Sequence, residues 1–119
     1  MQRVVLKSKL HRATVTDADL HYEGSITIDE SLMKAADILP YEQVSIYDVS
    51  NGERFSTYAI KGKKNSGVIC LNGAAARKVS KGDIIIIATY VMVEDNIAKK
   101  WAPQCVLVDG QNKIKKTSP

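Results

Sequence analysis

Two cysteines, one tryptophan and one phenylalanine are all that this chain of 119 residues holds of the residue types that most often advertise a site. Cys70 and Cys105 stand far apart in apolar, strand-like settings and without CxxC spacing. That argues against a disulfide framework and against a metal site, and it predicts buried, reduced thiols in a cytoplasmic protein. No basic run is interleaved with aromatics, so a stacking surface for single-stranded nucleic acid is not expected. No apolar run approaches the length of a membrane span. The basic residues near the N-terminus are followed by no long apolar stretch, so a secretory signal is not expected either. There is no G-x-S-x-G, and His11 and His21 lie close together in sequence with no evident acid partner, which speaks against a serine hydrolase. Glycine-rich phosphate loops are also missing, and with them the usual means of holding a phosphorylated cofactor.

What remains describes one globular domain, residues 1–119. Its 45% apolar content is enough for a core without disulfides. The net charge is +4, and much of the excess sits in Lys61, Lys63, Lys64, Lys113, Lys115 and Lys116. Such runs read as a solvated loop and a frayed end. One functional reading of this charge is a small basic β-barrel that binds nucleic acid, with salt-sensitive affinity and no covalent change. Another is that a mildly positive body attracts an anionic substrate.

Short alternating apolar segments dominate the chain. Val4 to Leu6, Ala13 to Thr16, Ile26 to Ile28, Val44 to Tyr47, Arg54 to Ile60, Val68 to Leu71, Asp83 to Met92 and Gln104 to Val108 read as strands. Asn51-Gly52 between two of them signals a hairpin. Asp29 reads as the N-cap of a helix with Leu32, Ala35, Ala36 and Leu39 on one face and Pro40 as its stop. Ala74 to Ala76 suggest a second short helix. The fold class is therefore mainly β, a small barrel with one or two short helices.

Certain blocks are more specific. They are Lys9-Leu-His-Arg12, His21-Tyr-Glu-Gly-Ser25, Arg54-Phe-Ser-Thr-Tyr58 and Asn72-Gly-Ala-Ala75. Alone, Gly24-Ser25 is a turn. Together, in this order and spacing, the blocks resemble the aspartate 1-decarboxylase family from about Lys9 to Trp101. The resemblance implies a six-stranded double-psi β-barrel. It implies autocatalytic cleavage between Gly24 and Ser25, giving a β chain of residues 1–24 and an α chain of residues 25–119. The cofactor implied is a covalent pyruvoyl group made from Ser25. The reaction implied is decarboxylation of L-aspartate to β-alanine and CO2 for pantothenate and coenzyme A synthesis. The assembly implied is a homotetramer with active sites between subunits, and whether another protein accelerates processing is left open by the sequence.

The chemistry explains the residue types. Carbanion formation at an α-carbon needs an electron sink, which an imine to an electron-poor carbonyl provides. A backbone-derived ketone supplies one without a phosphate site. In making it, the Ser25 hydroxyl attacks the Gly24 carbonyl and the peptide becomes an ester. Loss of the Ser25 α-proton then expels the Gly24 carboxylate, and water converts the dehydroalanine to pyruvoyl and ammonia. Glycine before the serine suggests unusual dihedrals and close approach to that carbonyl. By resemblance, Thr57 is the donor to the oxyanion, with Tyr22 and His11 lining the processing site. Tyr58 is the proton donor after CO2 leaves. Lys9 and Arg54 hold carboxylates, Thr57 also lines the substrate site, and Asn72, Gly73, Ala74 and Ala75 form its loop. Strand alternation sends Thr57 and Tyr58 to opposite faces. Two residues depart from the family pattern: Ile26 stands where a smaller residue is common, and Tyr47 where tryptophan is common.

Overall fold

The computed structural model describes residues 1–119 throughout and has nine strands, most of them carrying alternating apolar residues into one core. The strands are β1 (Gln2–Thr14), β2 (Asp17–Asp19), β3 (Ser25–Asp29), β4 (Gln43–Asp48), β5 (Arg54–Gly62), β6 (Ile69–Asn72), β7 (Ile84–Glu94), β8 (Gln104–Val108) and β9 (Ile114–Ser118). Helix α1 (Glu30–Ala35) follows β3, a 3₁₀ helix (Gly73–Arg77) follows β6, and α2 (Asp95–Ala98) follows β7.

Six of these make a ring. Going round it, β6 pairs with β3, β3 with β5, β5 with β4, β4 with β7, and β7 with β1. The ring closes because β1 runs on through Val15 and Thr16 into β2, which lies parallel to β6. At the seam the Thr16 N–H donates to Ile69 O at 2.8 Å, and the Ile69 N–H donates to Thr16 Oγ1 at 2.9 Å. Inside are Leu10, Ile26, Ile28, Ile46, Leu71, Ile85 and Ile87, all fully buried. The expected barrel is thus present, with β8 and β9 added outside β1.

Several expectations change in detail. The two expected N-terminal strands are one strand of 13 residues. Irregularities between Leu6 and Ser8 and between Leu10 and Ala13 break its alternation, and Arg12 sits at the second with φ 62°. Asp29 does cap α1, but the helix ends sooner than Pro40 requires, because Asp37 turns left-handed at φ 54°. Ile38 therefore enters the core, and Leu39 is 65% exposed instead of lying on the apolar face. The lysine-rich tail is not frayed: β9 pairs antiparallel with β8 as an edge strand, where lysines discourage further pairing. The turn before it is anchored by Asn112, 1% exposed, whose amide donates to Thr14 O and Gly67 O at 2.8 Å each. Both cysteines are free, and they are half-buried where full burial was expected. No helix is long and apolar enough to cross a membrane.

Asp29 does more than cap. Its carboxylate is 1% exposed and accepts from Ser31 N–H, Ser31 Oγ, Asn65 N–H and Gly67 N–H at 2.7–2.9 Å. Burial pushes its pKa up, but the hydrogen bonds from Ser31, Gly67 and Asn65 outweigh that and hold it below the ordinary value. A depressed folded-state pKa contributes stability that is present above the unfolded value, about 3.9, and is lost as pH falls through the folded value. Asp29→Ala should cost about 2–4 kcal/mol, because it leaves several buried N–H donors unpaired. Chemical denaturation at neutral pH checks this, and an unchanged midpoint would refute it.

Candidate active site

Ser25 is the first residue of β3. It pairs with Asn72 on β6, while the next residue, Ile26, pairs with both Ala59 of β5 and Leu71 of β6. Residues 20–24 lie outside any strand. The Gly24–Ser25 peptide therefore joins an unpaired loop to a fully paired strand. Ser25 is 1% exposed. Its Oγ donates to Glu23 O at 3.2 Å and accepts from Asn72 Nδ2 at 2.9 Å. The same Nδ2 donates to Thr27 Oγ1 at 3.0 Å.

A cavity of about 560 Å³ opens beside Ser25, lined by Tyr22, Glu23, Pro40, Tyr41, Tyr58, Ile60 and Lys61 as well. A second hollow of about 250 Å³ is lined by Gly24, Phe55, Ser56, Thr57, Ala74, Ala75 and Lys78. The opposite orientations of Thr57 and Tyr58 thus find a physical reason. The link between Gly24 and Ser25 lies between the two hollows. Thr57 reaches the side of Gly24, and Tyr58 reaches the side of Ser25.

Gly73, rather than Gly24, is the glycine whose conformation matters at this link. Gly24 is not among the residues of positive φ, and a Cβ on it would meet nothing within 4 Å. Gly73 has φ +61°, and a Cβ there would lie 2.7 Å from Gly24 Cα and N and 2.8 Å from Tyr22 O. Close approach at the Gly24–Ser25 link is therefore permitted by Gly73, which packs backbone against backbone on the loop before the serine. Asn72 is 3% exposed and Gly73 is buried, whereas Ala74 and Ala75 reach the smaller hollow.

Within one chain the other expected residues lie elsewhere. Arg54 is exposed and stacks on Tyr47, with its guanidinium carbon 3.9 Å from the ring centroid. Tyr47 in turn shares a hydrogen bond with Tyr90, Oη to Oη at 2.7 Å. Lys9 is half-buried on β1, opposite Ala88 and Cys105, and lines neither hollow. His11 lines a third hollow with Arg12, Thr14, Asp109 and Lys115. Its Nδ1 is buried without a partner, and burial, then Lys9 and Arg12, lowers its pKa. The departure Ile26 is a fully buried core residue.

Sequence reasoning missed four residues around this site. Glu23 supplies the carbonyl that accepts the Ser25 hydroxyl's hydrogen bond. Thr27 shares the Asn72 amide. Cys70 donates to Asn72 Oδ1 at 3.3 Å. Lys61 lines the larger cavity and pairs with Glu30 at 3.7 Å, although it read as part of a solvated loop. The period-two spacing of Ser25 with Thr27 and of Cys70 with Asn72 was the signal available.

The sequence profile of the aspartate decarboxylase family matches residues 1–115. The chain belongs to that family. A protein named aspartate 1-decarboxylase from Syntrophus aciditrophicus is 73% identical over 115 residues, covering 97% of this chain and 99% of its own length. One of the same name from Syntrophobacter fumaroxidans is 63% identical, over 95% of this chain and 91% of its own. A third, from Thermoanaerobacter pseudethanolicus, is 57% identical, over 95% and 97%. In this aspartate decarboxylase family member, the resemblance carried by a few short blocks extends over nearly the whole chain.

Proposed function

We propose that this chain cuts itself between Gly24 and Ser25 and then decarboxylates L-aspartate to β-alanine and CO2 in the cytoplasm, for pantothenate and coenzyme A synthesis. The observation that carries the reading is the state of Ser25. A serine hydroxyl is buried at the start of a strand, fixed between Asn72 Nδ2 and Glu23 O, and bordered by a cavity containing Tyr58.

The residues present fit a pyruvoyl group at position 25. The cut would break no strand pairing, because the loop before Ser25 has none. Both pieces would stay in place: residues 1–24 through β1 and β2, and residues 25–119 through the rest of the ring. When present, this group supplies a ketone that holds the substrate amine and accepts electrons as CO2 leaves. Before the cut, the Ser25 O–H donates to the Glu23 carbonyl, which leaves an Oγ lone pair for attack on Gly24, and the hydroxyl proton ends on the Ser25 nitrogen as the peptide C–N bond breaks. Thr57 lines the same hollow as Gly24, which supports a role in stabilising the oxyanion. Tyr58 lines the same cavity as Ser25, which supports a role in giving a proton to the substrate α-carbon. Lys61 brings positive charge to the same cavity, which suits a dicarboxylate.

Arg54 and Lys9 do not line this cavity in their own chain. Their role as carboxylate holders therefore requires a second copy, in a homotetramer with sites between subunits. The nucleic-acid reading is not favoured. It leaves unexplained the four sequence blocks and the match to the aspartate decarboxylase family over residues 1–115. The deciding experiment is denaturing mass spectrometry of warmed protein, with any processing-accelerating protein supplied. It should give a fragment ending at Gly24 and another with a blocked pyruvoyl terminus. Only intact chain after prolonged incubation would defeat the reading.

Arg54→Ala should still be cut, because Arg54 lies away from Ser25. It should bind aspartate poorly, since losing one partner of a buried charge pair costs about 2–5 kcal/mol. Steady-state kinetics on fully cut variant should show kcat/KM reduced at least thirtyfold, roughly 2 kcal/mol at a factor of ten per 1.4 kcal/mol. An unaltered kcat/KM would remove Arg54 from the substrate site.

A further inference from the structure

Ser25, Asn72, Thr27 and Cys70 form a quartet on two neighbouring strands. In the antiparallel β3–β6 ladder, Ser25 lies opposite Asn72, and Thr27 lies opposite Cys70. Residues two apart on a strand share a face, so all four side chains meet on one side. The Asn72 carboxamide is at the centre. One N–H goes to Ser25 Oγ at 2.9 Å, the other to Thr27 Oγ1 at 3.0 Å, and its oxygen accepts from Cys70 Sγ at 3.3 Å. Both of its protons and one lone pair are in use. Burial, then Asp17 and Asp19, pushes the Cys70 thiol pKa up, so the S–H stays available as a donor.

We infer that Cys70 and Thr27 are positioning residues for self-processing: they hold the Asn72 amide so that its N–H stays on Ser25 Oγ while the Gly24 carboxylate is expelled. The inference rests on the proposed Gly24–Ser25 cut. Once the ester has formed, Ser25 Oγ is its bridging oxygen. Loss of the Ser25 Cα proton to solvent water forms the Cα–Cβ double bond and breaks Cβ–Oγ. The electron pair of that bond goes to Oγ, which becomes a carboxylate oxygen of Gly24. An N–H on a neutral ester oxygen thereby becomes an N–H on an anion, and charge-assisted hydrogen bonds are roughly twice as strong as neutral ones. An interaction that strengthens as the bond breaks accelerates that step. The competing fate of the ester is hydrolysis, in which water adds to the Gly24 carbonyl and leaves Ser25 as a free N-terminal serine. An amide free to rotate away from Oγ loses its advantage for elimination and gives hydrolysis more time.

The test uses the full chain as expressed, in the unaltered form and as Thr27→Val, Cys70→Ala, Thr27→Ser and Cys70→Ser. Samples are warmed, quenched and weighed under denaturing conditions, with and without hydroxylamine to release ester. Pyruvoyl-ended and serine-ended 25–119 fragments differ by the mass of ammonia, so the two fates are counted separately. Thr27→Val and Cys70→Ala should each slow pyruvoyl formation roughly threefold to tenfold, the worth of one neutral hydrogen bond. Hydroxylamine-releasable ester and serine-ended fragment should both rise. The serine variants should restore the unaltered ratio, because a hydroxyl can replace either bond. The sites are half-buried, and either substitution decides alone. Unaltered rates and product ratios in Thr27→Val and Cys70→Ala would overturn the inference. So would slowing with no ester and no rescue by serine. An unaltered chain that forms no pyruvoyl at all would instead defeat the cleavage reading beneath it.

Discussion

Ser25→Ala should remain one chain of 119 residues under every condition that cuts the unaltered protein, and it should make no β-alanine above background. The substitution removes the only atom that can attack Gly24 from within the same residue. An intramolecular nucleophile held in place draws on an effective concentration that no external group matches, about 10⁵ M or more in well-oriented cases. Water therefore cannot substitute on a laboratory timescale. The fold should survive, since Ile26 and Ile28 still fill the core and the lost Asn72 bond is worth about 1 kcal/mol. Mass spectrometry and an assay for β-alanine read the two consequences. Cleavage at position 24 in Ser25→Ala, or turnover by it, would refute the role of the serine.

Thr57→Val should accumulate uncut chain, whereas Tyr58→Phe should cut normally and turn over slowly. The two side chains serve different hollows on either side of one peptide link. The loss of one oxyanion donor costs on the order of a hundredfold to a thousandfold in rate, and a general acid is worth a similar factor. The two variants should therefore separate the stages cleanly. Cut fraction is measured by mass, and β-alanine formation is expressed per pyruvoyl group. Normal cutting by Thr57→Val would remove the oxyanion assignment. An unchanged rate per pyruvoyl in Tyr58→Phe would remove the proton-donor assignment.

The barrel could be read from alternation because buried positions recur with period two along β4, the start of β7 and β8. Its ends could not. Arg12 and Asp37 adopt left-handed conformations that glycine usually takes, so neither residue type announces its turn. The tail looked frayed because lysine content reports solvent exposure, and an edge strand such as β9 is exposed too. At the site, Ser25 and Tyr58 were legible through the blocks that contain them. Cys70 and Thr27 were not, because their part depends on which residues lie opposite in the β3–β6 ladder, and register is not written in either strand alone. Arg54 and Lys9 were expected beside Ser25, but a single chain places Arg54 on Tyr47 and Lys9 between β7 and β8.

The seam where Thr16 meets Ile69 would give the proposed cut a thermodynamic direction. In the uncut chain, residues 20–24 tether that stave to its slot, and a short tether keeps an element at an effective concentration in the millimolar range. After the proposed cut, residues 1–24 would be a separate molecule, held by the contacts of β1, of β2 and of the loop packed on Gly73. Closing the ring would then become an encounter between two chains, at whatever concentration the solution provides. The uncut chain should regain its barrel from denaturant at high dilution, but the cut one should do so only when concentrated. Maturation would then be irreversible in two senses: the peptide is not remade, and a mature molecule that unfolds has lost the connection that first assembled it.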